Sequence, residues 1–549
     1  MEDSSRKVVV VGSGSAGFTA ALAAKEAGLD PIIVESTGLV GGSSAMSGGG
    51  LWIPNNPPML KAGVHDSYEE AKLYMDTVIG DVGPASSPQR REAFLREGPR
   101  MVEWLTSLGF RWSYTPGYAD YYPEKSGGSA QGRCLEPDFF DLKKLGPWQD
   151  KLNIMMAIPL HTLDAAQLSL SFRVFSAFLH TAKVIGIRTI GSALIGKKLA
   201  GLGGALIGQL LYLALDRSIS IWVDSPMVEL IQENGAVTGV VVEREGKRNA
   251  IPAGAVILAA GGFPHNNEMR QKYHPHPITT DWTVAAEGNQ GVPIQAGMAI
   301  GAATALMDDA WWGPVFIHSK GKAQFMLWER SAPFSIIVDS SGKRFMNESA
   351  SYVDCGHWQY ERNREVPAIP AYLIADSRHR KFYLFGMMLP RMTPKDAYES
   401  GMMVKADSIS ELARTCGIDA ENLKQTVQRF NQFAATGKDL DFHRGDSAYD
   451  RVYSDPKVKP NPNLGPIEEP PFFAVRVWPG DLGTKGGLLT DEFGRVLRED
   501  GSPIKGLYAA GNNSASVMGR TYPGAGSTIG PAMVFGMIAG QNAAQTDSR

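Results

Sequence analysis

Three glycines and an acid are the first residues to suggest chemistry. Gly12, Gly14 and Gly17 stand in the spacing G-x-G-x-x-G, and Glu35 follows about 20 residues later. Gly12 permits a tight turn, Gly14 lets the backbone approach a pyrophosphate, and Gly17 lets a helix and a strand pack closely. A helix opening at Ser15 and Ala16 offers unpaired N–H groups to phosphate oxygens. Glu35 can accept hydrogen bonds from a ribose diol, so the pattern points to an adenine dinucleotide with an unphosphorylated ribose. The elements that must hold these residues are legible around them. Residues 8–11, all valine, read as a buried parallel strand; an alanine-rich helix runs to Gly28; and Ile32, Ile33 and Val34 form a second strand ending at Glu35. Strand, glycines, helix, strand and acid in this order are far more specific than the glycines alone.

A chain of 549 residues exceeds what one compact core organises, so two or more domains are expected. Hydrophobic residues at 43% and charged residues at 20% describe a folded, soluble protein, and a net charge of −3 gives no general attraction to nucleic acid. Cys134, Cys355 and Cys416 lie far apart, which suggests neither an iron–sulfur cluster nor a disulfide framework. The ten histidines form no zinc pattern, and no metal site is expected; His274 and His276, between prolines, read as loop residues. The first strand begins by Val8, which leaves no room for a signal peptide, so a cytoplasmic location is expected.

Residues 38–56, GLVGGSSAMSGGGLWIPNN, are small enough to wrap closely around a flat cofactor, with Gly42 and the Ser43 and Ser44 hydroxyls near phosphate. Later pieces complete the nucleotide domain. Residues 255–263 (AVILAAGGF) are a buried strand ending in glycines, and residues 506–512 (GLYAAGN) are another. Only one G-x-G-x-x-G is present, so one dinucleotide site is expected and no separate NAD domain.

The order of these pieces resembles the fumarate reductase/succinate dehydrogenase flavoprotein group. That resemblance implies an α/β fold, with a Rossmann-like FAD-binding domain of the glutathione-reductase type and an inserted α+β catalytic domain. Three departures disfavour dicarboxylate chemistry and covalent flavin. No histidine lies in residues 43–47, so the FAD is expected to be non-covalent; DLGTKGGL (481–488) lacks a histidine before its threonine; and no arginine–leucine–glycine run follows Gly511 and Asn512. A closer resemblance, over nearly the whole chain, is to the 3-ketosteroid Δ1-dehydrogenases. It is carried by AMSGGGLWIPNNP (45–57), DYYPEKSGGSAQGR (120–133), DDAWWGP (308–314), FMNESASY (345–352), DLGTKGGL and TYPGAGSTIG (521–530).

This resemblance implies removal of a proton from C2 and a hydride from C1 of a 3-ketosteroid substrate, with FAD taking the hydride. Tyr522 and the Gly526 N–H match the family's donors to the C3 oxygen, Tyr352 its base, and Tyr121 the residue that hydrogen-bonds to that base. Tyr122 is the neighbouring alternative to Tyr121. Tyrosine is a poor base at its unperturbed pKa near 10, so the site must stabilise tyrosinate, and an alkaline optimum is expected. Besides the fingerprint residues, the FAD contacts implied are Ser36, Gly42, Ser43, Ser44, Ser47, Gly48, Gly49, Met227, Val228, Ala260, Gly261, Gly511, Asn512, Gly526 and Ile529. A helix over residues 527–538 would turn its positive end toward the flavin. Trp311, Trp312, Phe316 and Met307 read equally well as an apolar slot for a fused-ring substrate or as core. Electrons would leave to an external acceptor of quinone or dye type.

The expected FAD domain covers residues 1–312 and 481–549, and the catalytic domain residues 313–480. Residues 165–198 are a basic, apolar insertion: between Asp164 and Asp216 there is no acid, while Arg173, Lys183, Arg188, Lys197 and Lys198 are basic. The apolar run 199–215 falls short of the roughly 20 residues a spanning helix needs. The insertion suits either peripheral contact with a membrane, admitting sterols with long side chains, or burial between domains or subunits. Two rivals remain: a dehydrogenase acting at C4–C5 of a 5α-3-ketosteroid, and a flavin-bearing binding or electron-carrying subunit.

Overall fold

The structure, a computed structural model, describes residues 4–154 and 157–544. Its first sheet has the strand order Arg495–Leu497, Pro503–Ala509, Ala255–Leu258, Lys7–Val11, Asp30–Val34, Ser220–Trp222. All neighbours are parallel except the antiparallel edge strand Arg495–Leu497. The valine run explains the layers. Successive strand side chains point to opposite faces. Val8 and Val10 join the core shared with the helices Ser15–Glu26 and Ile529–Ala543. Val9 and Val11 join the core of the antiparallel sheet formed by Met227–Glu233, Ala236–Arg244 and Lys247–Pro252. The two helices approach at backbone distance because a Cβ on Gly536 would lie 2.4 Å from the Ala16 carbonyl oxygen.

The second large sheet is antiparallel and is built on the long strand Phe472–Thr484. Ala310–Ile317 pairs with its C-terminal half, with Trp312 opposite Asp481 and Gly313 opposite Gly480. Ala371–Ala375, Met403–Ala406 and Ser335–Val338 extend the sheet, and Ala323–Phe325 closes the other edge. The helix Tyr352–Asn363 lies against Ala310–Ile317 so closely that a Cβ on Gly356 would sit 2.3 Å from Trp312 Cβ.

The insertion forms short helices, Thr162–Ser169, Phe175–Lys183 and Ser192–Leu194, with a π-helical stretch Val184–Gly191. Phe172, Phe175, Phe178, Ile187, Leu194 and Ile195 are all more than half exposed, while Leu170 and Ala177 are buried against Ala332, Phe334 and Tyr383, so the insertion packs on the rest of the chain by one face only. No helix among the described residues is long and apolar enough to cross a membrane. His274 follows the helix Asn267–Tyr273 and lies in a loop, as its sequence suggests. It is buried, packs edge-on against Trp312, and burial lowers its pKa to about 4.

Candidate functional site

At the C-terminal end of Lys7–Val11 the glycines divide the labour their spacing implies. Gly12 adopts φ 104°, and a Cβ there would lie 2.5 Å from the Ala259 carbonyl oxygen. A Cβ on Gly17 would lie 2.0 Å from the Gly12 carbonyl oxygen, so Gly17 brings helix and turn together. Gly14 differs. A Cβ there would meet nothing nearer than Ser44 Oγ at 3.6 Å, which leaves an open cradle at the start of the helix Ser15–Glu26. Ser15 N–H donates to Ser44 Oγ, while the N–H groups of Ala16 and Gly17 have no acceptor among the described residues. Two free amides over an open cradle at a helix N-terminus fit a pyrophosphate.

Glu35 is fixed from both sides. Its Oε2 accepts from the Ser13 N–H and hydroxyl, and its Oε1 from the Ser36 hydroxyl and the Thr37 N–H and hydroxyl. Its carboxylate would hold the ribose diol of FAD. Ser43 Oγ accepts from Ala286 N–H and Asn289 Nδ2, which ties residues 38–56 to a loop that the sequence reading passed over. That loop, AAEGNQG, carried a turn signal only. Ser47 accepts from the Gly49 N–H, and Gly49 packs directly on the backbone at Leu202. Gly48 is nearest Thr162, and Gly42 has open space around it. Gly261 adopts φ 81° against Asn289, and the Ala260 N–H donates to Asn513 Oδ1. Met227 is buried at a strand start, with Val228 partly exposed beside it. Gly511 packs on Ala16, and Asn512 Oδ1 accepts from Trp311 Nε1 at 3.1 Å. These donors and cradles fit FAD, and the dinucleotide end is built mainly from backbone.

The second half of the site is made of side chains. Tyr352 opens its helix, directly after Ser351. Its ring centroid lies 4.9 Å from that of Tyr522 and 5.5 Å from that of Tyr121, edge-on. Tyr121 stacks on Tyr522 at 5.2 Å and on Tyr449 at 4.0 Å. Phe325 and Trp311 close the cluster edge-on against Tyr352 and Tyr522. Tyr121, Tyr352 and Tyr522 are each only 5% exposed. Of the aromatic candidates, Trp311 therefore borders the phenols. Trp312 packs in the core with Tyr360, Phe316 lies in the core of the antiparallel sheet, and Met307 joins the core beneath the first sheet.

The segments are stitched together by hydrogen bonds to one carbonyl. Pro523 O accepts from the Tyr121 N–H at 2.9 Å and from the Tyr74 hydroxyl at 2.6 Å, which fixes DYYPE to the YPGAG turn. Below it, Asp120 accepts from Trp52 Nε1 and pairs with the buried Arg133, which also grips Asp66. Gly526 adopts φ 94°, and a Cβ there would lie 2.3 Å from the Gly50 carbonyl oxygen, so no other residue fits. Ser527 caps the turn through Gly524, and the helix itself runs Ile529–Ala543, two residues later than the sequence suggests.

Burial dominates the electrostatics. It raises the Tyr352 pKa well above the usual value, and Tyr121 and Tyr522 add to the rise. Tyr522 is raised by burial less severely, because Thr528, Tyr352 and the Gly526 N–H all face its oxygen. No hydrogen bond joins the Tyr121 and Tyr352 hydroxyls. The Tyr121 hydroxyl instead faces Tyr118 and Tyr449, and Tyr118 shares a 2.9 Å hydrogen bond with Tyr453. Tyr122 donates to Asp354 at 3.0 Å and so stands outside the ring cluster. Tyr449 and Tyr453 were invisible to sequence reasoning; their spacing of four is the one signal available, and it reads as helix packing.

Comparison with known proteins identifies the family. The FAD binding domain family matches residues 7–529. A 3-oxosteroid 1-dehydrogenase of Mycobacterium tuberculosis is 47% identical over 551 residues, covering 97% of this chain and 97% of that protein. Another, from Mycolicibacterium smegmatis, is 46% identical over 557 residues, covering 98% and 97%. The crystal structure of a 3-ketosteroid Δ1-dehydrogenase from Sterolibacterium denitrificans, in complex with 1,4-androstadiene-3,17-dione, superposes with a TM-score of 0.92 at 37% identity, covering 98% of this chain and 99% of that one. The chain belongs to the FAD binding domain family, in the group that holds the 3-oxosteroid 1-dehydrogenases.

Proposed function

We propose that this protein is an FAD-dependent enzyme that desaturates the C1–C2 bond of 3-ketosteroids. The observation that carries the reading is the meeting of Tyr352 with Tyr522 at 4.9 Å, inside a buried cluster beside the Gly526 amide. FAD, when bound, supplies the acceptor for the hydride from C1. Tyr522 and the Gly526 N–H donate to the C3 oxygen. Donors aimed at developing enolate charge are each worth about 3 kcal/mol. Tyr352, from the opposite side, takes the C2 proton as its phenolate. Trp311 and Phe325 give the ring system apolar walls and exclude water. An external acceptor collects the electrons.

Anaerobic mixing with androst-4-ene-3,17-dione tests this. Bleaching of the oxidised flavin and a new C1–C2 double bond are expected. An unbleached flavin refutes it, as does a parallel reaction with a saturated 5α-3-ketosteroid whose product is desaturated only at C4–C5.

A second part of the proposal concerns residues 162–195, which we read as resting on a lipid surface. Phe172, Phe175, Phe178, Ile187, Leu194 and Ile195 point outward, and Lys183 and Lys197 are exposed beside them. Exposed apolar patches with flanking lysines suit the headgroup boundary. Arg173 and Arg188 do not share this role, because they pair with Asp455 and Asp164. Removal of residues 168–190 is expected to abolish co-sedimentation with anionic phospholipid vesicles; unchanged partition refutes the contact.

A further inference from the structure

Behind the phenols lies a buried ionic cluster that the desaturation chemistry leaves unused. The Lys485 side chain is fully buried. Its Nζ lies 3.5 Å from Asp309 Oδ2, donates to the Thr521 carbonyl at 3.1 Å, and sits 4.8 Å from the Trp311 ring centroid. Asp309 Oδ1 accepts from the Ala310 N–H at 3.0 Å and from Trp312 Nε1 at 2.8 Å, and His357 Nε2 stands 2.7 Å away. Thr521 precedes Tyr522. His357 belongs to the helix that Tyr352 opens. On the same helix Asp354 accepts from Tyr122, the neighbour of Tyr121. A single carboxylate is thereby roped to the element carrying the base and, through Lys485, to the turn carrying the ketone donor.

The charges are real at neutral pH. Burial opposes ionisation of Asp309, yet Lys485 and His357 outweigh it and hold the carboxyl at about 2. Burial lowers Lys485 to about 8, with Asp309 and Asp354 opposing that fall and Arg520 adding to it. An ammonium with so little solvent is retained only where its partners are fixed. The group therefore resists displacement of any one member, which is the property a spacer needs.

We propose that Asp309, Lys485 and His357 are positioning residues that set the separation of Tyr352 and Tyr522, so that base and donor grip one steroid ring together. The inference rests on the base and donor reading of those tyrosines. Positional errors near 1 Å can cost on the order of 100-fold in rate, and such errors appear in kcat more than in substrate binding.

His357 is one-third exposed, so its replacement leaves the core intact. The experiment compares His357→Ala with His357→Gln in the FAD-loaded enzyme, measuring kcat and KM for androst-4-ene-3,17-dione together with flavin content. H357A is expected to lower kcat by about tenfold with KM nearly unchanged, and H357Q, which still presents a donor to Asp309, to recover most of it. Unchanged kcat in H357A, equal losses in kcat, KM and flavin, or no recovery in H357Q overturns the proposal. Lys485→Met, which keeps the stem and removes the charge, is expected to lose more kcat than H357A. Should that variant fail to fold, the histidine pair alone decides. A wild-type enzyme that desaturates while the variants fail to separate sinks this inference alone; a wild type whose flavin stays oxidised in the presence of the steroid sinks the functional reading first.

Discussion

At the dinucleotide end, Gly12, Gly14, Gly17 and Glu35 come from one short stretch and act through backbone amides, open space and a single carboxylate. At the phenol end, Tyr121, Tyr352, Tyr449 and Tyr522 come from four distant stretches and act through side chains that only the tertiary fold brings together. The first is tolerant of side-chain identity wherever no Cβ collides. The second depends on each hydroxyl. A backbone site needs the right conformation, which glycine spacing encodes locally. A side-chain site needs long-range packing, and its energetics follow from burial: the same enclosure that excludes water pushes each phenol toward its neutral form.

That contrast can be broken experimentally, most severely at Tyr352. Tyr352→Phe is expected to reduce kcat by about 1,000-fold while FAD stays bound, because the lost group acts only in proton transfer. The same variant carries the pH test. Burial raises the Tyr352 pKa, so below it the reactive phenolate is the minor form and grows about tenfold per pH unit. Wild-type kcat should therefore climb from pH 6 toward pH 8, where Lys485 still keeps its proton, and the residual rate of the variant should not. A wild-type rate falling over that range contradicts the assignment.

A smaller effect is expected at the other end. Gly14→Ala meets no atom closer than 3.6 Å within the chain, so it should fold normally. Its methyl enters the cradle, and FAD affinity, measured by fluorescence on titrating apoprotein, should weaken by about tenfold with kcat of the saturated enzyme preserved. Retained affinity would mean that the pyrophosphate lies elsewhere.

These differences explain what the sequence could disclose. The valine run, the glycines and Glu35 were readable because strand period and turn chemistry are local rules, and the parallel sheet appeared as they require. The phenols were reachable only through resemblance, since no spacing within FMNESASY or TYPGAG announces that they will meet. Tyr449 gave no warning. Nor did the buried Lys485, whose motif reads as a glycine-rich loop with one exposed charge. His274 was legible as a loop residue, but its burial beside Trp312 comes only from the packed structure. The apolar insertion was legible in composition, yet its outward orientation followed from tertiary placement.

One feature of the antiparallel sheet couples two distant stretches of the chain. The chain arrives on Ala310–Ile317 and departs on Phe472–Thr484, and those passages lie hydrogen-bonded side by side, Gly313 facing Gly480. Neighbouring strands held by one hydrogen-bonded ladder shift together, so a displacement of the first passage is handed to the second.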